Sequence, residues 1–178
     1  GLGTISAAMA EETEAQYPLD AAAVATSGVL PDTVAERLAD SDTVGAVEVL
    51  DGVRATVAGQ ELPVLAAGSP AVLRGGDPFE GVDLVLPYET YVGLPARVTD
   101  QIDAQGTIDL RVDGAVHTLS VRTSGGYGPT AVVAPSTLEE LGGGRPTGVW
   151  ARAADGADAG ALETAVNGAT AGVDVVIA

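Results

Sequence analysis

The 178-residue sequence contains no cysteine and a single histidine, His117. Disulfides, thiolate nucleophiles and cysteine metal sites are thereby excluded, and histidine chemistry has one imidazole to run through. The missing cysteines do not locate the protein. A chain of this length buries roughly two-thirds of its unfolded surface, so it needs no cross-links in any compartment. Lysine is also missing: the eight basic residues are all arginine and face 25 acidic ones, for a net charge of −17. Such a surface repels nucleic-acid phosphates, so no nucleic-acid partner is expected. No basic amphipathic stretch offers itself to an anionic lipid surface. Aromatic residues are 3% of a chain that is 46% hydrophobic, so the core must be built from Val, Leu, Ala and Ile. That composition suits a strand-rich α+β domain. No run of about 18 apolar residues occurs, and the opening "GLGTISAAMA" lacks the basic start of a secretory signal. Both the opening and the closing "GVDVVIA" are apolar, and the chain is expected to be a piece of a longer protein.

Along the chain, Leu2, Ile5, Met9 and Thr13 fall near one face and the run stops before Pro18, which predicts a helix over 2–16. "AAAVATSG" (21–28) reads as a strand. In "LPDTVAERLAD", a proline in the first turn, Asp32 at the positive end of the dipole, and Val34 four residues before Leu38 predict a short helix. "TVGAVEVL" (43–50) and "VRATVAG" (53–59) flank Asp51-Gly52, which predicts a hairpin turn there, and "ELPVLAAG" (61–68) continues the meander. The middle, from "GSPAVLRGGDPFEG" (68–81), is richer in glycine, proline and polar turns. It holds the strand "VDLVLP" (82–87), a segment punctuated by Gly93 and Pro95, and a hairpin at Asp113-Gly114. From Thr130 the order is strand, helix, strand, helix, strand, with Ser136 and Glu139 spaced as a capping box. Two α/β pieces thus bracket a mostly β piece. The assembly expected is an α/β lobe from residues 1–72 plus 129–178, with a β-rich lobe, 73–128, inserted.

Few residues here could carry chemistry. A two-residue turn at Asp113-Gly114 pairs Val112 with Ala115, Leu110 with His117 and Ile108 with Leu119. His117 then shares the apolar face of the hairpin, and a partly buried, hydrogen-bonded histidine is favoured over a base or ligand, because no orienting carboxylate or nucleophile lies nearby in sequence. There is no G-x-S-x-G elbow. The carboxylate pairs Glu11-Glu12, Asp40 with Asp42, Asp100 with Asp103, and Glu139-Glu140 read as solvated acidic faces rather than a glycosidase pair. "DSDTVGAVEVLD" (40–51) superficially follows a calcium loop but places Val44 at a ligand position and closes on Asp51. "GGGRPTG" (142–148) lacks the lysine and hydroxyl of a phosphate loop and reads as a flexible linker. Tyr88, Tyr91, Tyr127 and Trp150 could mark a partner patch, although the core has first claim on them. No catalytic, cofactor or metal residue is assigned.

The order of these pieces says more than any one of them. "VLPDTVAERLADSDTVGAVEVL" (29–50) resembles a stretch of the extracytoplasmic domain of FtsX-like and MacB-type ABC transporter permeases: a strand, an "LP-x-x-V-A-x-x-L" helix and a "V-x-x-V" strand. "VDLVLPYETYVGLPARVTD" (82–100) is similar to the family's strand, short helix and glycine-centred turn, although Pro95-Ala96-Arg97 replaces that turn. "IDLRVDGAVHTLSVRTSG" and "TAVVAPSTLEELGG" resemble the elements that follow. The resemblance implies a two-lobed MacB-type periplasmic core, α+β, with transmembrane helices continuing both ends. It also implies a non-catalytic role without cofactors, at the extracytoplasmic face of the membrane. The implied partners are a cytoplasmic ATPase subunit, a second permease copy, and an extracytoplasmic protein or a lipoprotein or peptide substrate. A secreted binding module that takes a small ligand or peptide between two lobes is the alternative, and an enzyme with an unrecognised acidic site a third.

Overall fold

The computed structural model describes residues 20–26, 28–67, 79, 81–125 and 130–177. The helix expected over 2–16 lies outside them. Among the described residues nine strands form one sheet: β1 (Ala21–Ala25), β2 (Val44–Val57), β3 (Gln60–Ala66), β4 (Leu84–Pro87), β5 (Thr107–Val112), β6 (Ala115–Ser124), β7 (Ala131–Val133), β8 (Arg145–Ala153) and β9 (Val175–Ile177). Their order is β3-β7-β4-β6-β5-β2-β8-β1-β9, and β3 also pairs with β2. That extra pairing closes six strands into a ring, β2-β3-β7-β4-β6-β5, and leaves β8, β1 and β9 as an open antiparallel extension on the same β2.

Strand alternation explains how both parts are filled. Val64 and Ala66 of β3, Ala131 and Val133 of β7, and Leu84 and Leu86 of β4 point into the ring, where they meet Ile108, Leu110, Leu119 and Val121. The residues between them, Leu65, Val132 and Val85, stand on the outside of the ring and pack with Ala22, Val24, Leu50 and Trp150 of the open extension. β1 is therefore buried on both faces: Ala22 and Val24 meet the ring, while Ala21, Ala23 and Ala25 meet two helices. These helices are α1 (Asp32–Ala39) and, after three others named below, α5 (Ala159–Ala169). Val34 and Leu38, one turn apart, turn the buried face of α1 inward, and Leu162 and Val166 do so for α5. Small alanines on β1 let these layers approach closely, and Trp150, fully buried, fills the space between sheet and ring.

Three further helices are α2 (Tyr88–Val92), α3 (Ala96–Gln105) and α4 (Pro135–Glu140). Leu94 leads into α3, whose Val98 and Ile102 enter the ring's core, as do Leu138 of α4 and Leu141 after it. No helix among the described residues is long and apolar enough to cross a membrane.

Several expectations are corrected. Asp51-Gly52 is not a turn. β2 runs through it for 14 residues, with a register irregularity between Leu50 and Asp51 against β8. The turn falls at Ala58-Gly59, both at positive φ (52° and 80°), between the pair Val57 and Gln60. The Gly93–Pro95 segment is not merely punctuation, because α3 starts after Pro95 and ends at the left-handed Gly106. Pro31 is the N-cap of α1 rather than a residue of its first turn. Ser136 lies inside α4, whose N-cap is Ala134 with no side-chain cap, so Ser136 and Glu139 form no capping box. The hairpin at Asp113-Gly114 is as expected, with Leu110 opposite His117.

Candidate functional site

The residues singled out in the sequence are not gathered in one place. His117 lies on β6 beside the strongly exposed Val116, half-buried on the inward face with Leu119 and Val121. It makes no hydrogen bond to another described residue, contrary to expectation, because near the open tip of the hairpin water can satisfy its ring nitrogens. Asp103 accepts a hydrogen bond from the Tyr91 hydroxyl at 2.7 Å. Glu139 and Glu140 are exposed at the end of α4. Asp40 follows α1, and residues 44–51 run out as extended strand, which carries Asp51 roughly 20 Å from Asp42 and leaves no loop to wrap a cation. Trp150 belongs to the core, whereas Tyr88 is 58% exposed and stacks on Tyr91 with ring centroids 6.0 Å apart. Glu11, Glu12 and Tyr127 lie outside the described residues.

What the fold does build is a cleft of about 500 Å³ where the open extension meets the ring. That volume falls in the range of small-ligand pockets, about 300–1,000 Å³. Its walls come from five stretches distant in sequence: β1 at Val24 and Ala25, β2 at Gly52–Arg54, β3 at Pro63 and Val64, Asp113 at the hairpin tip, and Gly142–Arg145 with Thr147. The glycines of "GGGRPTG" are structural, not a flexible linker. Gly142 and Gly143 take positive φ (105° and 80°), and their N–H groups donate to Glu139 and Leu138 carbonyls, which ends α4 and brings the backbone into the cleft. Gly144 then runs against Gly52 so closely that a Cβ on it would lie 2.5 Å from the Gly52 oxygen.

Charge in the cleft runs opposite to that of the molecule. Arg54 and Arg145 line it, and among the described lining residues Asp113 is the one acid. Arg54 is committed: its guanidinium pairs with Glu61 and donates to the carbonyls of Ala25, at 2.9 Å, and Thr26. The Arg145 side chain is exposed and makes no hydrogen bond or ion pair with the described residues.

A second cleft of about 420 Å³ lies between the β2–β3 turn, α3 and β5. Three of its polar side chains, Gln101, Asp109 and Arg111, are hydrogen-bonded, while that of Arg97 has no bond to the described residues. Asp109 accepts from Thr118 at 2.6 Å and Gln101 at 3.3 Å, and Arg111 donates to the Gly114 carbonyl at 3.4 Å.

No protein-family model matches the chain, and no curated protein matches it in sequence. Among solved structures, the periplasmic region of MacB from Actinobacillus actinomycetemcomitans matches with a TM-score of 0.40 at 11% identity, over 89% of this chain and 87% of that one. The chain is similar to that region. Likeness at this level concerns the course of the chain and assigns no activity.

The cleft was not legible in the sequence because its walls assemble only through the ring closure. Its one local signal was the Gly142–Gly144 run followed by Arg145.

Proposed function

We propose that this chain is the extracytoplasmic domain of an ABC transporter permease. It would be a non-catalytic element that passes ATPase-driven motion to a partner protein or an exported substrate. The sequential motifs of residues 29–50, 82–100, 108–125 and 130–143 motivate the reading. One structural observation carries it: β1 and β9 pair antiparallel with Ala23 opposite Ile177, so Ala21 and Ile177 point to the same end of one sheet. A domain displaced by two neighbouring membrane helices needs its attachments side by side. From that end, β2 continues without a break from the open extension into the ring, which gives displacement a stiff path to the far side. In this reading a cytoplasmic ATPase subunit acts through the membrane part, and a second permease copy completes the transporter.

Reporter fusions to the parent gene test it. They should place residues 1–178 outside the membrane between flanking segments of about 20 apolar residues, with a P-loop ATPase encoded alongside. A cleavable signal before residue 1 with a stop codon after residue 178 would end this reading.

The second reading, a secreted or anchored module that binds a small ligand or peptide, is favoured by the cleft at the junction of ring and extension.

A further inference from the structure

We infer that the junction cleft captures the C-terminal carboxylate of a short peptide with a small aliphatic last residue, and that Arg145 is its charged contact. The chain carries 25 acidic and 8 basic side chains, yet this concavity is lined by two arginines and one aspartate. Of the two, Arg54 is already held by Glu61 and two backbone carbonyls. Arg145 is the cation left for a ligand, and its planar fork matches a carboxylate with two parallel N–H donors.

The space beside it is kept open by backbone contact. Gly144 lies against the Gly52 main chain, so neither position can carry a side chain that would fill the cleft. The half-buried Val53 and Pro63 give an apolar wall for one small aliphatic side chain. Asp113, at the hairpin tip, supplies an acceptor. A peptide offers N–H donors to such an acceptor, and a fatty acid offers none. Capture of a terminal carboxylate is a recurrent mode of peptide recognition; here the Gly142 and Gly143 N–H groups are taken up by the Glu139 and Leu138 carbonyls, so the charge falls to Arg145.

A permease domain and a free module would present the same cleft, so the inference stands apart from the choice between the two readings, and reporter topology does not bear on it. The test is titration of the isotopically labelled 178-residue chain with N-acetyl-Ala-Ala-Val, followed by amide chemical shifts. Expected are saturable shifts at Gly142, Gly143 and Gly144 that are lost when the peptide is C-terminally amidated. Arg145→Gln should raise the dissociation constant at least about tenfold, whereas Arg37→Gln, on the exposed side of α1, should leave it unchanged. Arg145 is exposed and unpaired among the described residues, so its replacement leaves the fold intact. The inference is overturned by an amidated peptide that binds equally, by an unaffected Arg145→Gln variant, or by no shift up to about 10 mM peptide. Hexanoate binding as well as the peptide would overturn the peptide assignment.

Discussion

The missing Cβ of Gly144 would lie 2.5 Å from the carbonyl oxygen of Gly52 and 3.0 Å from its nitrogen, so the loop after α4 and the middle of β2 touch through bare backbone. Gly52 is confined in turn: a Cβ there would meet the Thr147 hydroxyl at 2.4 Å and the Val64 carbonyl at 2.7 Å. Gly144→Ala should therefore force main-chain displacement and cost about 1–3 kcal/mol. Gly168 offers a control of opposite sign. It lies in α5 with nothing within 4 Å of its would-be Cβ, so Gly168→Ala should stabilise by about 0.5–1 kcal/mol. Urea midpoints of the two variants, at unchanged m-value, check both.

Arg54 and Glu61 form an exposed ion pair, with side chains 40% and 60% accessible. On its own such a pair contributes about 0–1 kcal/mol. The guanidinium does more by satisfying the carbonyls of Ala25 and Thr26 at the end of β1. Glu61→Gln should then cost less than about 1 kcal/mol, and Arg54→Gln about 1–3 kcal/mol, because it strips the part-buried Ala25 carbonyl of its partner. Equal losses in denaturant melts of the two variants would contradict this assignment.

Tyr91 donates its hydroxyl hydrogen to Asp103, and this bond, with burial and the negative charges of Asp103, Tyr88 and Asp100, holds its pKa above the ordinary tyrosine value of 10.0. A raised phenol pKa means that the folded state favours the neutral ring. The associated stability is fully present below pH 10 and is lost as pH climbs through the folded value. Tyr91→Phe should remove that alkaline decline, which unfolding curves measured between about pH 9 and 11 would show. An unchanged slope would refute the coupling.

His117→Ala should leave a folded protein that is less stable by under about 1 kcal/mol, because the imidazole is half-buried and bonded to no described side chain. Circular dichroism and a thermal melt are sufficient. A loss near that of a core leucine, about 2–5 kcal/mol, would mean that the ring packs as core.

The two Asp-Gly dipeptides show what could and could not be read from sequence. Asp113-Gly114 has positive φ at both residues, 48° and 84°, and is the tight turn its flanking alternation predicts. Asp51-Gly52 has the same letters and the same flanks but no positive φ among the backbone values there. Its glycine is demanded by the side chain of Leu65 and the backbone of Val64, more than ten residues away, and such a contact leaves no local trace. The true turn uses Ala58, a residue that seldom accepts positive φ, so tertiary context overrode propensity. α3 was legible in principle, from Val98 and Ile102 four apart between Pro95 and Gly106, but the glycine and proline before it read as irregular chain. The strands from residue 130 onward were legible as short apolar runs bounded by turn residues: β7 and the middle of β8 are buried on both faces and show no alternation, while α5 keeps a helical period. The cleft depends on ring closure, a property of strand order that periodicity does not encode.

β2 belongs to the ring and to the open extension at once. A nick between Leu50 and Asp51 would separate the residues of β2 that make most of its pairs with β8, Val44–Leu50, from those that pair with β3 and β5, Gly52–Val57. Ring and extension are thus joined twice, by one continuous strand and by the packing of Leu65, Val85 and Val132 on Ala22, Val24 and Trp150. Displacement delivered to one end is therefore shared between a single ribbon of peptide and the side chains packed across the junction.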